Sequence, residues 1–188
     1  NGRLRRNLPG HHRVSMNAST HLSPDEIRSL FAQAMSRMYR DEVPLYGALM
    51  ELVSEVNAAA LAADPLLAAR LQRSDALDRL DAERHGAIRV GTPRELATLR
   101  RLFAVMGMAP VGYYDLAVAG VPVHATAFRP VDAAALARNP FRVFTSLLRL
   151  ELIEDAALRE KAAAILERRE IFTPRALELI ERFEREDM

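Results

Sequence analysis

The chain contains no cysteine, which excludes disulfide scaffolds, thiolate zinc sites and cysteine nucleophiles. No apolar run approaches the roughly 18 residues needed to span a bilayer, and no apolar stretch of signal-peptide type follows the basic N-terminus. A cytoplasmic protein without membrane contact is expected. Gly-rich phosphate loops and low-complexity tracts are missing as well. Charge of one sign is also scarce, since 26 basic and 25 acidic residues leave a net charge of +1. Arg3, Arg5, Arg6 and Arg13 fall in the first 15 residues without an acid, so the remainder is mildly acidic. Such a body offers no phosphate-tracking surface, and a nucleic-acid partner is not expected.

What is present is enough for one globular core: 188 residues, 49% hydrophobic and 27% charged. Residues 1–15 (NGRLRRNLPGHHRVS) are turn-rich, basic and without periodicity. They read as a flexible tail or extension, with Met16 the natural start. His11 and His12 have nothing there to hold them around a metal. A single α+β domain is expected over residues 16–188.

That domain reads in three parts. Over about 23–81 it is a helical layer. Ser23-Pro24-Asp25-Glu26 is a capping box with proline at the first helical position. Ile27, Leu30, Phe31, Ala34, Met35, Met38 and Tyr39 follow at helical spacing as a core-facing stripe. A second helix runs from Pro44 to about Ala63 with Leu45, Leu49, Leu52, Val53 and Val56 inward, and Asp64-Pro65 breaks it. Short helical pieces follow at Leu66–Leu71 and Asp75–Leu80. Over about 83–153 the order is strand, helix, strand, strand, strand. Residues 83–90 form the first strand, and Thr92-Pro93-Arg94-Glu95 caps a helix that Gly107 ends. Residues 112–118 and 121–128 are a hairpin turning at Ala119-Gly120. A short helical piece near Asp132–Arg138 precedes the fourth β-type run within 141–153. Two helices close the chain, at about 156–169 and 174–186. The sheet is expected to be curved and mostly antiparallel, with the helical layer packed on it.

Alternation along a strand puts His85, Ala87 and Arg89 on one face and Gly86, Ile88 and Val90 on the other. A neutral imidazole can ligate a metal. A guanidinium roughly 13 Å along the same strand can clamp a carboxylate with its planar fork. On spacing alone, a hydrogen-bonded structural histidine and a solvated or ion-paired arginine are the commoner roles. Glu151, near the end of the fourth run, is an alternative metal ligand that Arg149 can equally pair with. His124 reads as structural, and Asp115 as a hairpin hydrogen-bonding residue.

The stretch ERHGAIRVGTPRELATLRRLFAVMGMAPVGYYDLAVAGVPVHATAFRP, with LARNPFRVFTSLLRLELI after it, resembles the bacterial 2-oxoadipate dioxygenase/decarboxylase family, related to the vicinal oxygen chelate enzymes. The resemblance runs from about Ser23 to the C-terminus. It implies a βαβββ chelate-like module and a non-haem Fe(II) cofactor held by two histidines and a glutamate. It further implies a 2-oxo dicarboxylic acid and O2 as reactants, and the step from 2-oxoadipate to 2-hydroxyglutarate in lysine breakdown. The first histidine matches His85, and the substrate-gripping arginine matches Arg89. The second histidine and the glutamate match nothing in this chain. The chain therefore reads as the N-terminal portion of a two-module enzyme, inactive alone and prone to self-association through an exposed sheet. Two alternatives stay open. One is a single-module lyase or isomerase completed by dimerisation through His85 and Glu151, and the other is a non-catalytic binding domain.

Overall fold

The computed structural model describes residues 22–74, 76–77, 80 and 83–186. The expectations for residues 1–15, for His11 and His12, and for Asp75, Asp78 and Arg79 of the Asp75–Leu80 piece lie outside the described residues. The architecture is α+β: three N-terminal helices, a four-stranded mixed sheet with two helices between its strands, and two C-terminal helices.

Helix α1 (Pro24–Glu42) starts where the capping box places it, with the Ser23 hydroxyl and Glu26 carboxylate satisfying each other's backbone N–H. Ile27, Phe31, Met35 and Tyr39 of the expected stripe pack on the core, but the fully buried face is shifted from it. Arg28, Ala32 and Met35 point inward, while Leu30 and Met38 are exposed. The reason is Arg28, fully buried, with its guanidinium donating to the carbonyls of Met106 (2.7 Å), Ala135 (3.3 Å) and Asn139 (3.3 Å) and to Asp25. A polar residue with four acceptors turns the helix away from its purely apolar stripe.

Helix α2 (Tyr46–Ala63) forms with Val53 half-buried, but the inward reading of Leu45, Leu49, Leu52 and Val56 is corrected. Leu45, Leu49, Leu52 and Val56 are all more than half exposed, and no α2 residue is buried. Apolar spacing says which face favours burial, but among the described residues nothing covers it. Helix α3 (Pro65–Arg73) follows at a 108° bend, capped by the Asp64 carboxylate. No single helix is long and apolar enough to cross a membrane.

Strand β1 (His85–Val90) leads into α4 (Pro93–Val105), β2 (Ala109–Asp115), β3 (Val123–Arg129), α5 (Ala133–Arg138) and β4 (Arg142–Leu148). The strand order is β1-β4-β3-β2, with β1/β4 parallel and the other two pairings antiparallel. The β2–β3 connection is longer than the expected tight turn. The Asp115 carboxylate accepts from the Ala117 N–H at 2.8 Å and starts a 3-10 turn over Ala117–Ala119. Gly120, at φ 77°, ends that turn. The fourth run likewise stops being strand at Leu148 and continues as a 3-10 turn over Leu150–Leu152. Helices α6 (Ala156–Glu167) and α7 (Pro174–Glu186) close the chain.

The core lies between the helices and one face of the sheet. Ala32 and Met35 from α1 meet Leu99 and Phe103 from α4 and Val90, Phe128, Phe141 and Val143 from the sheet side. Phe103 packs against Phe128 with ring centroids 4.9 Å apart, and Phe31 meets Phe103 and Phe141 edge-on. On the far side of α4, buried Glu95 closes a second capping box with Thr92 and takes the Gly91 N–H at 2.6 Å. It also takes both arms of Arg169, at 2.9 and 2.8 Å.

Replacing Arg28 by methionine should destabilise the chain by about 3–5 kcal/mol, because Asp25 and three carbonyls then lose a buried partner. Urea unfolding monitored by circular dichroism measures this. A pH effect follows from the acids. Burial pushes the Asp25 and Glu95 carboxyls up. The Arg138 and Arg28 contacts to Asp25, and the Arg169 pair and backbone N–H groups at Glu95, outweigh it and hold both below their ordinary values of 3.8 and 4.5. Their stabilisation is therefore complete above those ordinary values and is lost as pH falls through the lower, folded ones. The unfolding midpoint should drop between about pH 6 and about pH 3, and Glu95→Gln should lose less than wild type over that range.

Candidate functional site

Strand β1 begins where Glu83 organises the chain. One carboxylate oxygen accepts from the N–H groups of Arg84 and His85, each at 3.1 Å, and the other accepts from the Tyr46 hydroxyl. Burial, reinforced by the neighbouring carboxylate, raises the Tyr46 phenol above its ordinary value. β1 is an edge strand, and two outward-facing backbone groups are occupied. The Tyr39 hydroxyl accepts the Ala87 N–H at 3.1 Å, and Arg169 donates to the Arg89 carbonyl at 3.4 Å. Past the strand, Gly91 lies against Leu166 of α6, which would stand 2.1 Å from a Cβ at that position. The strand is thus held at its start, along its edge and at its end.

The alternation expected for this strand is observed. Gly86 and Val90 are buried on the helix side, Ile88 is half-buried there, and His85, Ala87 and Arg89 are exposed on the opposite face. Gly86 is the close-packed point, since a Cβ there would sit 2.8 Å from the Met35 sulfur. His85 and Arg89 share a face, but within this chain it is an open sheet face and not a cavity. A cavity of about 640 Å³ lies between α1, α5 and the residues before β1, and neither His85 nor Arg89 lines it. Among the described residues, no side-chain hydrogen bond or ion pair engages the His85 imidazole or the Arg89 guanidinium.

Glu151 is not brought to this pair. It follows the end of β4 whose first residue, Arg142, is the register partner of His85, which puts it more than about 20 Å along the strand direction. Its carboxylate is taken by Arg149, whose guanidinium holds it below its ordinary value. No group of three His, Asp or Glu residues able to hold a metal occurs among the described residues. His124 sits on the helix-side face in a polar cluster. The Tyr113 hydroxyl and Arg149 contact its ring, and Asp115 lies 3.2 Å from its Nε2. Those contacts pin the β2–β3 hairpin to the end of β4, the structural role the sequence suggests.

Sequence reasoning did not find the cross-strand neighbours of this face. Arg142, Phe144 and Ser146 of β4 are the register partners of His85, Ala87 and Arg89. A fourth β-type run within 141–153 was legible, but not which strand it would pair with or which of its residues would face His85 and Arg89.

These features define an α+β chain whose βαβββ module presents a histidine and an arginine on an open sheet face. The family model for 2-oxoadipate dioxygenase/decarboxylase matches residues 31–188. The 2-oxoadipate dioxygenase/decarboxylase of Escherichia coli (strain K12) is 64% identical over 165 residues, covering 88% of this chain and 37% of the relative. That of Pseudomonas putida is 63% identical over 171 residues, covering 91% of this chain and 37% of the relative. The crystal structure of hydroxyglutarate synthase from Pseudomonas putida in complex with 2-oxoadipate superposes with a TM-score of 0.83 at 62% identity, covering 90% of this chain and 38% of that one. The chain belongs to the 2-oxoadipate dioxygenase/decarboxylase family. It spans between 37% and 39% of the length of the curated relatives it matches.

Because His85 and Arg89 are exposed and unengaged, substituting either by alanine should leave the stability of this chain within about 0.5 kcal/mol of wild type. Urea titrations of the two variants check this. A loss of 2 kcal/mol or more, roughly the range of a buried polar contact, would make them structural residues.

Proposed function

We propose that this chain forms one wall of the active site of an Fe(II)-dependent dioxygenase/decarboxylase. The reaction is the conversion of 2-oxoadipate and O2 to hydroxyglutarate and CO2. The observation that carries this reading is the placement of an unengaged imidazole and an unengaged guanidinium on one open face of β1, in a chain of this family. Arg89 suits the carboxylate farthest from the reacting centre, since its fork makes two parallel hydrogen bonds. His85, roughly 13 Å back along the strand, suits a metal at the 2-oxo end. The two thereby orient an extended dianion along β1.

Iron sites of the facial type take two histidines and a carboxylate and leave positions open for substrate and oxygen. The donor set of this chain alone does not make such a site: His85 is one donor, and the other two are expected from sequence outside these 188 residues. The vicinal oxygen chelate relationship, the place in lysine breakdown and a cytoplasmic location belong to the same proposal. They rest on the resemblance carried by residues 83–153.

In the full-length protein, His85→Ala should abolish stoichiometric Fe(II) binding and oxygen consumption with 2-oxoadipate. Anaerobic metal titration and an oxygen electrode measure both, and full turnover in the variant would overturn the assignment. The isolated 188-residue chain should bind Fe(II) weakly, show no oxygen uptake with 2-oxoadipate, and self-associate on sedimentation.

A further inference from the structure

The parallel register of β1 and β4 builds a second row of side chains beside the first. Partners across a sheet point to the same face, with strands about 4.8 Å apart. On the open face the row of His85, Ala87 and Arg89 is therefore lined by Arg142, Phe144 and Ser146. Taken across the strands, the two rows form three pairs of different character. At one end stand His85 and Arg142, whose Nε is buried without a hydrogen-bond partner. In the middle are Ala87 and Phe144, which are wholly apolar. At the other end stand Arg89 and Ser146, a cation beside a hydroxyl.

The middle pair is held firmly. Phe144 is half-buried although it lies on the open face, and its ring is 6.2 Å from that of Tyr114 on β2. Its neighbour on the other side is Ala127, which is small and buried, and Gly112 follows on β2. The Tyr114 ring lies over Gly112, its hydroxyl 3.0 Å from where a Cβ there would stand, so Phe144 and Tyr114 together form an aromatic ridge along the β4 side of the strip. Polar at both ends and apolar between, the strip along β1 has the pattern of a linear dicarboxylate lying extended.

Resting on the proposed function, we infer that Ser146 and Phe144 are positioning residues for the 2-oxo dicarboxylate. The Ser146 hydroxyl donates to the same distal carboxylate that Arg89 clamps, and the Phe144 ring supports the methylenes between the two charged ends. Arg89 and Ser146 act on a group that a 2-oxo monocarboxylate lacks. Phe144 acts on a part of the chain that both kinds of acid share. The two residues therefore separate by substrate.

The test uses the full-length protein with 2-oxoadipate and with 2-oxohexanoate, which has the same chain length but a methyl end. Ser146→Ala should lower kcat/KM for 2-oxoadipate about tenfold, mainly through KM, as expected for one hydrogen bond to a charged group. It should leave kcat/KM for 2-oxohexanoate unchanged, and Ser146→Thr should restore most of the loss. Phe144→Ala should raise KM for both acids, and Phe144→Leu should restore most of it. Calorimetric binding of 2-oxoadipate to the metal-free protein should weaken by similar factors, and iron content should not change. An equal effect of Ser146→Ala on the two acids, or no effect on either, would overturn the inference. If Arg89→Ala impairs 2-oxoadipate turnover while Ser146→Ala and Phe144→Ala do not, the inference fails and the proposed function stands. If the wild-type full-length protein neither binds nor turns over 2-oxoadipate, both fail.

Discussion

The buried guanidinium of Arg28 is the constraint around which the rest is arranged. It reaches the carbonyl at the end of α4 and two carbonyls of α5 and the residue after it, while Asp25 neutralises its charge. Helix α4 connects β1 to β2, and α5 connects β3 to β4. One side chain of the N-terminal layer therefore anchors both helical connections of the sheet. The carbonyls at a helix end lack intrahelical partners, and burying them without donors is expensive. Arg28 supplies donors to the Met106 and Asn139 carbonyls, and a second donor to the Ala135 carbonyl beside the Asn139 N–H, which explains why a charged residue occupies a core position of α1 while Leu30 stays outside.

The same economy governs the strand that carries His85 and Arg89. An edge strand leaves a row of backbone groups unpaired, and here Tyr39 and Arg169 occupy two of them. Arg169 also completes the Glu95 pair, and Glu95 in turn caps α4 and fixes Gly91 at the end of β1. The helix-side groups thus immobilise the strand from behind and along its edge. None of their side chains has to enter the open face, so the imidazole and guanidinium there remain unengaged. A site presented this way is rigid in its backbone and open in its chemistry, the arrangement that ligand positioning favours.

Two of the apolar surfaces among the described residues bear on partners. One is the α2 face with Leu49, Leu52 and Val56, and the other is the sheet face with Phe144 and Tyr114. They differ in kind. The α2 face is an unbroken aliphatic stripe, whereas the sheet face mixes two aromatic rings with small residues, cations and a hydroxyl. Uniform apolar surface favours packing against protein, while a mainly apolar strip with a few placed polar groups suits a small ligand.

Local chemistry was legible residue by residue. Ser23 with Glu26, and Thr92 with Glu95, announced their helix starts because a capping box needs only four consecutive residues. The common face of His85, Ala87 and Arg89 followed from the two-residue period of a strand, and Gly107 ended α4 as its position suggested. The long match over residues 83–153 made the family readable without any structure. Other features needed the fold, because they join residues far apart in the chain. No local pattern places Arg28 in the core, since the three carbonyls it donates to lie 78 to 111 residues away. None shows that among the described residues nothing covers the α2 stripe, or that Asp115 ends β2 before Val118. The pairing of β4 with β1 decided which side chains flank Arg89. Strand register is settled by the packing of the whole sheet, and a single strand's sequence specifies its faces but not its neighbours.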